Sequence, residues 1–130
     1  MQVEQSKVEK ITITDKKGLD PIHVYLEDTA KNQGRITIVC YGCALNAYWS
    51  SMGKGIKEFF AYASVDYISN IFKNNIRDSY DVENFKITEY KGRMLENRVN
   101  ASCRMSREQE AYIERIIECV QEALKEVLSE

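Results

Sequence analysis

A chain of 130 residues suits one domain, and 44% apolar with 29% charged residues is the balance of a soluble globular fold, which excludes a mostly disordered chain. A net charge of −2 excludes a general binder of DNA or RNA, because such proteins carry a basic excess to neutralise phosphates. No apolar run approaches the ~20 residues of a membrane span, and MQVEQSKVEK lacks the apolar stretch of a secretory signal. The chain is therefore expected in the cytoplasm, with Cys40, Cys43, Cys103 and Cys119 as thiols.

The first third reads as strands. Residues 10–14 (KITIT) alternate apolar and polar, the period of a half-buried strand, and residues 15–18 (DKKG) follow as a turn. Ile22, Val24 and Leu26 alternate in a second strand, and residues 32–34 (NQG) form the next turn. Residues 35–41 (RITIVCY) are the most β-rich, with Ile36, Ile38 and Cys40 on one face, and a fourth strand is expected over Leu45 to Ser51. Short turns between these runs predict an antiparallel meander.

After Gly53-Lys54-Gly55 the chain changes character. Residues 56–63 (IKEFFAYA) favour helix. Asp66 is expected to cap a second helix to about Asn74, with Tyr67, Ile68, Ile71 and Phe72 inward. Residues 74–84 read as a polar loop and residues 85–90 (FKITEY) as a strand.

The last element is the clearest. Ser106-x-x-Gln109 fits a capping box. Tyr112, Ile113, Ile116, Ile117, Val120, Ala123, Leu124, Val127 and Leu128 then fall at spacings of three and four, which predicts an amphipathic helix of about 23 residues and roughly 35 Å. Strands of 5–7 residues reach only roughly 17–24 Å. Leaving Val127 and Leu128 in water forgoes about 1.5–3 kcal/mol each, so a helix of a second copy is expected to cover the overhang. The fold expected is α+β in a single domain, 1–130: a meander of about four strands, two short middle helices and a long C-terminal amphipathic helix.

Signs of catalysis are sparse. Cys40-Tyr41-Gly42-Cys43 is a C-x-x-C, but there is no second one and His23 is the only histidine. It reads as Cys40 pointing into the core and Cys43 in a turn. His23, between Ile22 and Val24, is expected on the solvent face. There is no nucleophile elbow, P-loop or dinucleotide fingerprint. Gly53-Lys54-Gly55 ahead of a helix can hold an anion on free N–H groups, but reads more simply as a turn. No metal, cofactor or catalytic residue is assigned.

Charge and aromatic patterning are more informative. Residues 93–107 carry Arg93, Arg98, Arg104 and Arg107 against the single acid Glu96. Arginine's planar fork matches phosphate and carboxylate oxygens two at a time, so this stretch meets either the glutamates of the last helix or a phosphate-bearing ligand. Seven glutamates follow between Glu108 and Glu130, against Arg115 and Lys125. Tyr41, Tyr48, Trp49, Phe59, Phe60, Tyr62 and Tyr67 crowd the middle. Phe59 and Phe60 are adjacent on a helix and point about 100° apart, so one is expected in the core and the other at an opening or interface.

The run Lys10–Phe72 resembles a family of small phage proteins, the first-described phage anti-Thoeris sponge family. The resemblance rests on residues 10–14 (KITIT), 18–22 (GLDPI), 24–28 (VYLED), 34–38 (GRITI), 40–42 (CYG), 47–53 (AYWSSMG) and 58–60 (EFF). It implies a non-enzymatic protein of the host cell cytoplasm that sequesters cyclic ADP-ribose isomers, and in some members cyclic oligonucleotides. It also implies a nucleotide pocket between subunits of a homo-oligomer. In the family an arginine on an early strand, a phenylalanine and an asparagine ten residues apart and a later arginine hold the ligand. Those positions correspond here to Arg35, Phe60, Asn70 and either Arg93 or Arg98. Phe60 would stack on adenine, Asn70 would bond an adenine or ribose edge, and the arginines would neutralise the pyrophosphate. The alternative from the residues alone is a phage inhibitor that binds a host defence protein through the acidic face of the last helix.

Overall fold

The structure, a computed structural model, describes residues 1–76 and 106–130. The chain divides into two compact units, one formed by Met1–Ala63 with Cys119–Glu130 and the other by Ser64–Glu118. The architecture is the expected α+β: a four-strand antiparallel meander, short helices and a long C-terminal helix.

The first unit is built on the sheet. Strands β1 (Glu9–Ile13), β2 (Ile22–Ala30), β3 (Gln33–Cys40) and β4 (Cys43–Trp49) lie side by side in sequence order. The period of two sends Ile22, Val24 and Leu26, then Ile36, Ile38 and Cys40, then Leu45, Ala47 and Trp49 to one buried face. β4 begins and ends two residues before the predicted span, because the turn before it has only two residues, Tyr41 and Gly42. That turn puts Tyr41 at φ 55°, a left-handed conformation uncommon for an aromatic residue. The preceding hairpin gives its left-handed position to Asn32 (φ 60°), which tolerates it better.

Helix α1 (Ile56–Tyr62) lays Ile56, Phe60 and Ala61 on the buried side. Gly34 permits its close approach: a Cβ there would stand 2.9 Å from Ile56 Cβ. At the other end of α1, Gln121 donates its side-chain amide to the carbonyls of Phe60 (3.0 Å) and Ala63 (2.6 Å). Buried carbonyls at a helix end need such partners.

The second unit holds α2 (residues 65–76) and the first part of α3 (Arg107–Ser129). Ser64 caps α2, its hydroxyl accepting from Tyr67 N–H at 3.1 Å, so the cap is not Asp66, which lies inside the first turn. Ile68, Ser69 and Phe72 are buried, and Tyr67, one residue off that stripe, is 45% exposed rather than inward. α2 also runs through the residues 74–76 read as the start of a loop.

α3 has the 23 residues expected, and its capping box is reciprocal. Gln109 N–H donates to Ser106 Oγ at 3.1 Å, and Ser106 N–H donates to Gln109 Oε1 at 2.9 Å. Ile113, Ile116, Ile117, Val120 and Leu124 are buried; Val127 is half-buried and Leu128 is 42% exposed. The strand expected at residues 85–90, most of the loop before it, and Arg93, Arg98, Cys103 and Arg104 lie outside the described residues.

Candidate functional site

Among the described residues, the second face of the sheet carries no apolar core. Cross-strand register arranges it in rows: Glu27–Arg35–Tyr48, then Lys10–Tyr25–Thr37–Asn46, then Thr12–His23–Val39–Ala44. Arg35, Asn46 and Tyr48 are exposed, and Tyr25, Thr37 and His23 are half-buried.

Two cations sit over aromatic rings on this face. The Arg35 guanidinium lies 5.7 Å from the centre of the Tyr48 ring, and Lys10 Nζ lies 5.5 Å from the centre of Tyr25. Arg35 also meets Glu27 at 3.5 Å, with both side chains about half exposed (50% and 42%). A pair that open is screened by water and gives way readily to a stronger anion. Thr37 Oγ1 donates to Asn46 Oδ1 at 3.4 Å, which orients the amide. The face thus joins a planar cation, the exposed Tyr48 ring and an amide, the groups that recognise phosphates, base faces and base edges.

The residues singled out from sequence are distributed unevenly. Arg35 stands on this outer face. Phe60 is fully buried on the other side of the sheet, its ring 6.4 Å from Trp49, and has no free face for stacking. Phe59 packs on Trp49 at 5.1 Å and stays partly exposed. One phenylalanine in the core and one at the surface is the division that adjacency on a helix demands. Asn70 is exposed and belongs to the second unit. Arg93 and Arg98 lie outside the described residues.

Tyr25 and Tyr48 were not singled out together, although period-two alternation with Val24, Leu26, Ala47 and Trp49 carries the signal. His23 is half-buried, and its Nδ1 is enclosed without a hydrogen-bond partner. At the start of α1 the Asp28 carboxylate already accepts from Ile56 N–H at 2.9 Å, so that donor is not free for an external anion. No local pattern announces that bond, because its partners are 28 residues apart. Cys40 is buried as expected, whereas Cys43 is the first residue of β4 and not part of the turn.

Among the described residues, no group of three or more His, Cys, Asp or Glu side chains is placed to hold a metal ion, and no helix is long and apolar enough to cross a membrane. A family model described as a phage family, Phage_phiTE_072, matches residues 1–126. No curated protein and no solved structure matches the chain.

Proposed function

The chain belongs to that phage family, and from this premise we propose that it is an anti-defence protein that binds a cyclic nucleotide immune signal in the host cytoplasm and sequesters it without cleaving it. The ligand class is cyclic ADP-ribose isomers, with cyclic oligonucleotides as further candidates. The observation that carries the reading is the Arg35–Tyr48 pair on the outer face of the sheet. Arg35 exchanges a half-exposed carboxylate for a phosphate, and the Tyr48 ring offers an exposed surface to a base. The resemblance over Lys10–Phe72 supports the same ligand class and adds Asn70 with Arg93 or Arg98. The buried ring of Phe60 enters this reading as the support behind Trp49 and Phe59, which leaves stacking to exposed aromatics.

Sequestration depends on slow release, which favours a pocket closed by a second copy of the chain. The exposed end of the α3 stripe at Leu128 is the surface proposed for that copy. Calorimetric titration with cyclic ADP-ribose isomers and cyclic oligonucleotides tests the reading. Saturable binding, with intact ligand recovered on heat denaturation, is expected. No binding of any of them, or a cleaved product, overturns it.

A second reading is favoured by a specific observation on α3. Glu110, Glu114, Glu118, Glu122 and Glu126 follow one another at intervals of four along α3, forming an acidic ridge. In the described structure only Glu110 and Glu122 are seen in ion pairs, with Lys73 at 3.6 Å and Lys16 at 3.1 Å. Such a ridge suits the basic surface of a host defence protein. A stoichiometric host protein retained from lysate, with no nucleotide binding, favours this reading over the first.

A further inference from the structure

The β3–β4 turn brings two thiols together in a way that the proposed ligand site does not use. Cys40 closes β3, Cys43 opens β4, and the two are direct cross-strand partners. Residues opposite one another in an antiparallel ladder have Cα atoms about 4.5–5.5 Å apart. Disulfides span Cα separations of roughly 4.4–6.8 Å. Cross-strand partners also project to the same face of the sheet, so both Sγ atoms stand on the side that holds Ile38 and Leu45.

The two thiols differ in access. Cys40 is 1% exposed, and its Sγ–H donates to the Asp20 carbonyl at 3.6 Å. Cys43 is partly exposed beside a turn whose residues Tyr41 and Gly42 are both open to solvent. A small reagent therefore reaches Cys43 first and leaves Cys40 to act second, the division of labour between an attacking and a resolving thiol.

We infer that Cys40 and Cys43 form a thiol–disulfide exchange site that takes a low-molecular-weight disulfide as its co-reactant and closes to a Cys40–Cys43 disulfide. The Cys43 thiolate attacks one sulfur of the small disulfide, whose S–S bond breaks and releases one small thiolate with the bonding electron pair. Cys40 then loses its proton, its sulfur attacks Cys43 Sγ, and the mixed S–S bond breaks to release the second small thiolate. The two protein thiols are oxidised and the small disulfide is reduced to two thiols. Burial holds the Cys43 thiol above its ordinary value, with a further contribution from Cys40, so exchange is slow at neutral pH and accelerates as pH rises. The product pins the strand register that sets Arg35 opposite Tyr48.

The test uses the full reduced chain incubated with mixtures of oxidised and reduced glutathione, then alkylated in denaturant and digested with trypsin. Cleavage after Arg35 and Lys54 leaves both cysteines in one peptide, 36–54. The expected product is that peptide unalkylated and lighter by two hydrogens, about 2 Da. The Cys40→Ser variant is expected to stop at a stable glutathione adduct on Cys43. Wild-type protein that retains glutathione on Cys43 without closing, or that is alkylated at both cysteines across the whole range of mixtures, overturns the inference. The wild-type digest decides the matter even if the variant fails to fold.

Discussion

Arg35 and Tyr48 are direct cross-strand partners, and the guanidinium of the first lies 5.7 Å from the ring centre of the second. The pair gives the outer face of the sheet a planar cation and an exposed ring side by side. If a nucleotide binds there, Tyr48→Ala removes a stacking surface worth ~1–3 kcal/mol, a loss of roughly 5- to 150-fold in affinity. Arg35→Lys keeps the charge but loses the two-pronged geometry, and is expected to weaken binding less than Arg35→Ala. Calorimetric titration of the three variants checks this; unchanged affinity for Tyr48→Ala would remove the outer face from the account.

The two adjacent phenylalanines should separate stability from binding. Phe60 is enclosed, so Phe60→Ala leaves a cavity and is expected to cost ~3–5 kcal/mol of folding stability. Phe59 keeps part of its surface in water, so Phe59→Ala should cost clearly less. Denaturant unfolding of both variants gives the comparison. A Phe59 variant as unstable as the Phe60 variant would contradict the packing described.

Gln121 provides a polar test of the same core. Gln121→Leu removes the amide that donates to the buried Phe60 carbonyl and the part-buried Ala63 carbonyl, at an expected cost of ~1–3 kcal/mol. The midpoint of urea unfolding should fall with little change in slope. A midpoint equal to that of the wild type would show that those carbonyls have found other partners.

Stability should decline on the alkaline side. Cys43 is held above its ordinary value of 9.0, first by burial and then by Cys40; Lys16 is held above 10.5, first by its hydrogen bond to Glu122. A raised folded pKa gives stability that is fully present below the unfolded value and lost as pH rises through the folded one. The decline attributed to Cys43 therefore begins near pH 9.0, and Cys43→Ser should remove that first part of it. Lys16 is exposed, so its contribution at higher pH is screened and small. Chemical unfolding from pH 7 to 11 reads both; a Cys43→Ser curve that still falls from pH 9 would contradict the assignment.

The apolar end of α3 predicts association. Leu128 is 42% exposed, so Leu128→Lys should weaken self-association while leaving the monomer's fold intact. Analytical ultracentrifugation of wild type and variant measures this. A wild-type protein that sediments as a single copy at every concentration would count against both the partner helix and a pocket between subunits.

Much of the fold was legible because its elements follow simple periods. Alternation along Ile22–Leu26 and Ile36–Cys40 placed the inward faces correctly, and the spacing from Ile113 to Leu124 with the Ser106/Gln109 box placed α3. Boundaries were less legible where one residue of turn chemistry decides them. A two-residue turn with Tyr41 in a left-handed conformation carries no glycine signature at the position that needs it, so the start of β4 was missed. Ser64 and Asp66 are both good caps, and only the observed hydrogen bond distinguishes them. Contacts distant in sequence, Asp28 with Ile56 and Gln121 with Phe60, leave no local trace. At the candidate site the resemblance points to Arg35, and only the strand register, not any local pattern, sets Tyr48 beside it.

The most direct test of sequestration is a mass spectrum of what the protein releases. Purified protein is incubated with cyclic ADP-ribose isomers, washed free of unbound ligand and denatured by heat. The account predicts release of the ligand at its original mass, in an amount close to the number of sites. Recovery of a hydrolysed product, or of no small molecule from any of the isomers or from cyclic oligonucleotides, would contradict it.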